Sequence, residues 1–222
     1  MQQTKVNLAE KFTGYPDMDI IGRILNGEKE LYEILIRRNN PYLYKTGRSY
    51  GYNHEDTEDL MQETYINAYL HLADFKNLSE FKTWITRIMI NQCYQRSQKS
   101  SFKNEIPTDH ITDDKKPAVF NNNTQDSEKI MINKELGGLI EKALLQIPLD
   151  YRVVFSLREL NGLSVKATSE ALSISEVNVK VRLNRAKTML KKELENMYTP
   201  AEIFEFNLVY CDRIVERVMS KI

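Results

Sequence analysis

The 222 residues permit one large domain or two small ones. Apolar residues make up 41%, enough for ordinary cores, and the 31 basic residues are matched by 31 acidic ones, which excludes a nucleic-acid binder that works by overall charge; any basic surface must be local. Apolar stretches are too short to span a bilayer, residues 1–11 lack an apolar signal core, and Cys93 and Cys211 stand apart without a metal-type spacing, so a cytoplasmic, reduced chain without cofactor or membrane association is expected.

After an N-terminal segment, residues 1–17, residues 18–100 read as helices separated by short breaks. Ile20, Ile21, Ile24 and Leu25 form one apolar face that Asn26-Gly27 interrupts, and Leu31, Ile34 and Leu35 continue on a next helix towards Pro41. Residues 55–63 then hold five acids and no base. On a helix Asp56, Asp59 and Glu63 share one face, with Met61, Tyr65, Ala68 and Leu72 opposite and buried. By itself the acidic side reads as a solvated face. A basic or polar partner would also fit it, and so would a divalent metal, because carboxylates are hard oxygen ligands; no His joins at a ligand spacing, which counts against the metal.

From 81 to 103 the sign reverses. Lys82, Arg87, Arg96, Lys99 and Lys103 occur without an acid, and Phe81, Trp84, Tyr94 and Phe102 are interleaved. Charge that tracks a backbone and rings that stack on bases suit single-stranded nucleic acid; Trp84, Ile85 and Ile88 also read as core. The polar loop before this helix, residues 74–80, is an ordinary connection or a holder of an unstacked base. Residues 101–127, with Pro107, Pro117, three consecutive asparagines and Asp109, Asp113 and Asp114, lack periodicity and read as a flexible linker.

Residues 128–197 return to helical pattern. Pro148 suits a first helical turn, Tyr151, Val154, Phe155 and Leu157 follow, and Asn161-Gly162 is a stop signal. Ser164 can cap a short helix carrying Val165, Thr168, Ala171 and Leu172; Ser173-Ile174 makes a turn, and Ser175 can cap a longer helix. On that last helix Val179, Leu183, Ala186 and Leu190 face a core, and residues 176–192 hold six basic side chains against one acid, Glu176. A short helix, a tight turn and a basic second helix form a helix-turn-helix that can enter the major groove of DNA. Lys180, Val181, Asn184 and Arg185 lie early on one exposed face. After Pro200, Phe204, Leu208, Cys211, Val215, Val218 and Ile222 repeat at four- and three-residue steps, the seam of a helix that packs either on this chain or on a partner. The expected fold is all-α: two small helical domains (18–100 and 128–197) joined by a flexible linker, plus a C-terminal helical extension over 198–222.

The run Asp56-Thr57-Glu58-Asp59-Leu60-Met61-Gln62-Glu63-Thr64, followed by Phe81-Lys82-Thr83-Trp84-Ile85-Thr86-Arg87-Ile88, closely resembles the second region of sigma factors. Residues 128–194, including Leu183-Asn184-Arg185-Ala186-Lys187, resemble their fourth region. Nothing resembles the first or third regions, so the chain is similar to the small extracytoplasmic-function (ECF) type of the sigma-70 family, over residues 18–197.

The resemblance implies a promoter-specificity subunit of RNA polymerase with no catalysis of its own. Asp56, Asp59, Gln62 and Glu63 would bind the clamp helices of the β′ subunit, and the fourth-region domain would sit on the β flap. Phe75, Lys76, Asn77, Leu78 and Ser79, with Trp84, Arg87, Asn91, Gln95 and Arg96, would open and hold the −10 promoter element. Lys180, Val181, Asn184 and Arg185 would read the −35 element, with Arg158, Arg182 and Lys187 on phosphates. The linker would thread through polymerase channels, and the tail would serve an anti-sigma factor or a recruiting protein if it does not pack internally. Thr168 and Ser169 depart from the family's aliphatic-then-alanine pair, and Val181 stands where a small polar residue is frequent. A free-standing helix-turn-helix regulator is the alternative; a metal-dependent nuclease built on the acid cluster ranks far behind.

Overall fold

The computed structural model describes residues 14–103, 127–197 and 217–219, and they form helices with no strand among them. The first four helices are α1 (Asp17–Leu25), α2 (Tyr32–Ser49), α3 (His54–Leu70) and α4 (Phe81–Lys103). In α1, Ile20, Ile21 and Ile24 are buried, Asp17 and Asp19 occupy the first turn where the helix dipole favours acids, and Gly27 closes the exit at φ +107°. Pro41 does not end the second helix. It sits inside α2, where it withholds one main-chain donor; elsewhere on the helix Asn39 Nδ2 donates to Leu35 O at 2.8 Å and Thr46 Oγ1 to Tyr42 O at 2.8 Å. Asn53 caps α3 by accepting from the Asp56 amide at 2.8 Å.

These helices close around Leu35, Leu43, Leu60, Phe81, Ile85 and Met89, all fully buried. Gly47 lets α2 approach α3 and α4, since a Cβ there would lie 2.7 Å from Thr57 Cγ2 and 2.9 Å from Met89 Cε. Tyrosines finish the core from its rim. Tyr32 OH donates to Tyr65 O (2.8 Å), Tyr65 OH to Ile36 O (3.0 Å) and Tyr52 OH to Cys93 O (2.7 Å).

The second set comprises α5 (Ser127–Leu145), α6 (Leu149–Phe155), α7 (Val165–Leu172) and α8 (Glu176–Met197). A π-helical turn, Ser156–Leu160, prolongs α6 and ends at Asn161, followed by Gly162 at φ +68°. Ser164 Oγ accepts from the Ala167 amide (3.0 Å) and Ser175 Oγ from the Asn178 amide (3.2 Å), and the turn between α7 and α8 passes through Ser173 at φ 54°. Val154, Leu157, Val179 and Ala186 are fully buried, while Leu183 and Leu190 are half-buried.

The two sets meet along a seam. Ile90 of α4 is buried against Val153, Leu157, Leu163 and Ala171. Around this apolar spot run polar ties: Lys45 Nζ to Leu160 O (3.0 Å), Arg152 Nε to Ser49 O (2.6 Å), Asn161 Nδ2 to Tyr42 O (3.0 Å) and Lys82 Nζ to Asn161 O (2.5 Å). Arg48 pairs with Glu141 at 2.7 Å. The linker acids Asp109, Asp113 and Asp114, and the tail residues Phe204, Leu208, Cys211, Val215 and Ile222, lie outside the described residues; Val218 is 50% exposed.

Candidate nucleic-acid interface

The acidic surface is built on α3. Thr57, Leu60, Thr64, Tyr65 and Ala68 bury one side of the helix, which turns Asp59, Gln62 and Glu63 to solvent. Asp56 is different: its carboxylate accepts from Arg96 of α4 at 2.6 Å and is half-buried there. One residue expected to meet polymerase is thus tied to one expected to meet the −10 element. The same helix exposes three large apolar side chains that sequence reasoning passed over, Ile66 (54%), Tyr69 and Leu70 (71%). With Tyr32, Ile36 and Gln62 they line a shallow groove next to Gln62. Their signal was present in the sequence: apolar residues occur on more of α3 than one core-facing stripe needs.

The −10 candidates do not form one surface. Phe75 is buried, packed edge-on against Phe81 and tilted against Trp84, so it anchors the loop beneath its surface. Lys76, Asn77 and Leu78 are exposed above it, and Asn77 takes a left-handed conformation at φ 54°. Trp84 is half-buried, whereas Arg87, Asn91 and Gln95 are exposed along α4. A cavity of about 320 Å³ is bounded by Phe75, Ser79, Thr83, Trp84 and Arg87 on one side and by Glu170 and Ala171 of α7 on the other. Lys82, outside the expected set, lies over the Tyr42 ring at 3.6 Å, and burial, the largest influence on it, lowers its pKa.

The −35 candidates divide by face. Lys180, Val181, Asn184 and Arg185 are exposed on α8. Arg182 and Lys187 flank them and are tied to α6 and its π turn, Arg182 to Asp150 at 3.1 Å and Lys187 to Glu159 at 3.0 Å. Arg185 Nη1 donates to Tyr151 OH at 3.3 Å. These contacts fix the basic side chains; Arg185 and Lys187 stay exposed, while Arg182 is half-buried. Arg158 is turned inward, where its Nη1 donates to Leu163 O. Beneath, Thr168 is fully buried and its hydroxyl has no partner among the described residues. No group of three His, Cys, Asp or Glu among the described residues is placed to hold a metal ion, and no helix among them is long and apolar enough to cross a membrane.

The family model for sigma-70 region 2 matches residues 35–102 and that for sigma-70 region 4 matches residues 138–190, together more than half the chain. The ECF RNA polymerase sigma-E factor of Haemophilus influenzae is 26% identical over 193 residues, covering 85% of this chain and 98% of the relative. The ECF RNA polymerase sigma factor SigW of Bacillus subtilis is 24% identical, covering 80% of this chain and 96% of the relative. Two solved structures share the fold: CnrH in complex with the cytosolic domain of CnrY (TM-score 0.57, 20% identity, 80% of this chain and 96% of that one) and the Bartonella quintana sigma factor RpoE in complex with the anti-sigma factor NepR (TM-score 0.52, 24% identity, 70% and 91%). With both regions present in order, in a helical fold with an exposed basic helix, the chain belongs to the sigma-70 family of RNA polymerase sigma factors, within the ECF type.

Proposed function

We propose that this sigma factor, which directs promoter-specific transcription initiation, divides the work among three surfaces and performs no catalysis itself, acting in the cytoplasm. Asp59, Gln62 and Glu63 bind the β′ clamp helices of core RNA polymerase, and the apolar shelf of Ile66, Tyr69 and Leu70 extends that contact. The exposed loop residues Lys76, Asn77 and Leu78, with Ser79, Trp84, Arg87, Asn91 and Gln95, take the opened −10 strand; Phe75 holds the loop from below, and Arg96 acts after release from Asp56 or as its support. Lys180, Val181, Asn184 and Arg185 read the −35 duplex, Arg182 and Lys187 touch phosphates, and Arg158 holds the turn before α7. Residues 18–100 and 128–197 are the two working domains, 101–127 the connection that threads polymerase, and the region-4 domain rests on the β flap.

The observation that carries the reading is the division of charge between exposed faces in a chain of zero net charge: an acidic and apolar face on α3, a basic face on α8. An acidic face suits protein, and a basic one releases counterions from DNA phosphates. Two structural relatives are bound to partners, one of them an anti-sigma factor; by analogy an anti-sigma factor or a recruiting protein holds this chain, with the seam of 201–222 as its docking element. Transcription in vitro with core polymerase over a randomised promoter pool tests the function. Glu63→Arg should abolish binding to core while leaving the fold intact. DNA binding without any affinity for core would instead mark a free-standing regulator.

A further inference from the structure

Val177 and Val181 are 68% and 41% exposed, although Val179 between them is fully buried. The pattern follows from the helical period. Residues 177, 180, 181 and 184 fall on one stripe of α8, opposite Val179 and Ala186. The centre of the face that meets DNA is therefore Val177, Lys180, Val181 and Asn184, with Arg182, Arg185 and Lys187 at its flanks. Two β-branched apolar side chains stand in this stripe. Neither belongs to the buried core of the described residues, and valine is a poorer helix former than the straight-chain residues around them.

The charge around them selects the occupant. Basic side chains on both flanks suit a polyanion rather than an apolar protein surface, and α8 is of a size to enter a major groove. That groove offers one apolar group, the C5-methyl of thymine. Resting on the −35 reading above, we infer that Val177 and Val181 are specificity residues that each pack against a thymine methyl. A four-residue helical step advances about 6 Å, and B-DNA rises about 3.4 Å per base pair. The two thymines therefore stand about two base pairs apart.

The test uses holoenzyme assembled from the full chain and core polymerase. Promoters are selected from a pool randomised in the upstream element. Each selected thymine is then replaced by deoxyuridine, which removes only the methyl. Loss of one buried methyl should weaken binding about fourfold at each of two positions. Val177→Ala should erase the sensitivity at one position and Val181→Ala at the other. Unchanged binding to deoxyuridine promoters overturns the inference, and so does a methyl effect that survives both alanine variants. If scrambling the whole upstream element also leaves binding unchanged, the −35 reading falls with it; if scrambling abolishes binding while deoxyuridine is silent, only the methyl contact is refuted.

Discussion

The two helices proposed to face DNA, α4 and α8, are both basic, yet they are presented in opposite ways. On α8 the reading stripe points to solvent, and its flanking cations are steadied by Asp150, Tyr151 and Glu159 of its own domain. On α4 the seam takes part of the helix: Lys82 is held by Asn161 O, Ile90 is buried against α6 and α7, and Thr83, Trp84 and Arg87 share a cavity with α7. A duplex can meet α8 as it stands, whereas α7 covers one side of the front of α4. On the proposed reading, the upstream contact is preformed, and the downstream one depends on how the two domains sit.

Alkaline pH should separate the two halves most. Burial pushes the Cys93 thiol up to about 12 and the Tyr52 phenol to about 12, and it raises Tyr32, Tyr50 and Tyr65 as well. These groups stay neutral when folded and ionise sooner when unfolded. Their stabilisation is thus complete below the unfolded values, 9.0 for the thiol and 10.0 for the phenols, and is lost as pH climbs through the folded ones. All five belong to α2–α4 and the loop between α2 and α3, so the first helices should unfold before the second set. Emission from Trp84, the single tryptophan, should move between pH 10 and 12 while part of the far-UV helical signal persists.

Gly47→Leu forces atoms into the α2–α3–α4 contact and should cost about 3 kcal/mol, read as a lower urea midpoint for Trp84 emission. Ile90→Asp places a carboxylate in the seam at a cost of about 2 kcal/mol. The domains should part, giving a larger radius of gyration in small-angle scattering with helicity nearly unchanged; an unaltered radius would show that the polar ties hold the seam alone. Thr168→Val, which removes a buried hydroxyl that has no partner, should stabilise the second set by about 1 kcal/mol, seen as a raised melting temperature without change in −35 binding.

Much of α5–α8 was legible because its signals are local. Ser164 and Ser175 cap helices that begin within the next residue, and Asn161-Gly162 stops the π turn beside it. The core faces of α1 and α3 followed from spacing in the same way, except that Leu25, expected on the apolar face of α1 with Ile20, Ile21 and Ile24, lies at the helix end and is 52% exposed. The spacing carried the second helix only towards Pro41, and the structure runs it through the proline to Ser49. The seam was illegible. Ile90 sits in a run with Ile88 and Met89 and looks like any core residue, and Lys45, Arg152 and Asn161 look like surface polar residues whose partners are distant in sequence. The site candidates Phe75, Asp56 and Arg158 illustrate the same limit: a motif gives residue type and order, whereas burial of a ring or capture by Arg96 or Leu163 depends on the packed whole.

The acceptors at the seam are nearly all main-chain oxygens, those of Tyr42, Ser49, Leu160 and Asn161. A carbonyl survives almost every substitution of its residue. Substitution of an acceptor residue therefore leaves its bond available, whereas the side-chain donors Lys45, Lys82, Arg152 and Asn161, and both partners of the Arg48–Glu141 pair, are exposed to single-step loss. A relative that keeps those side chains and an apolar residue at the position of Ile90 can vary the acceptor residues around them and still hold its two domains in the same register.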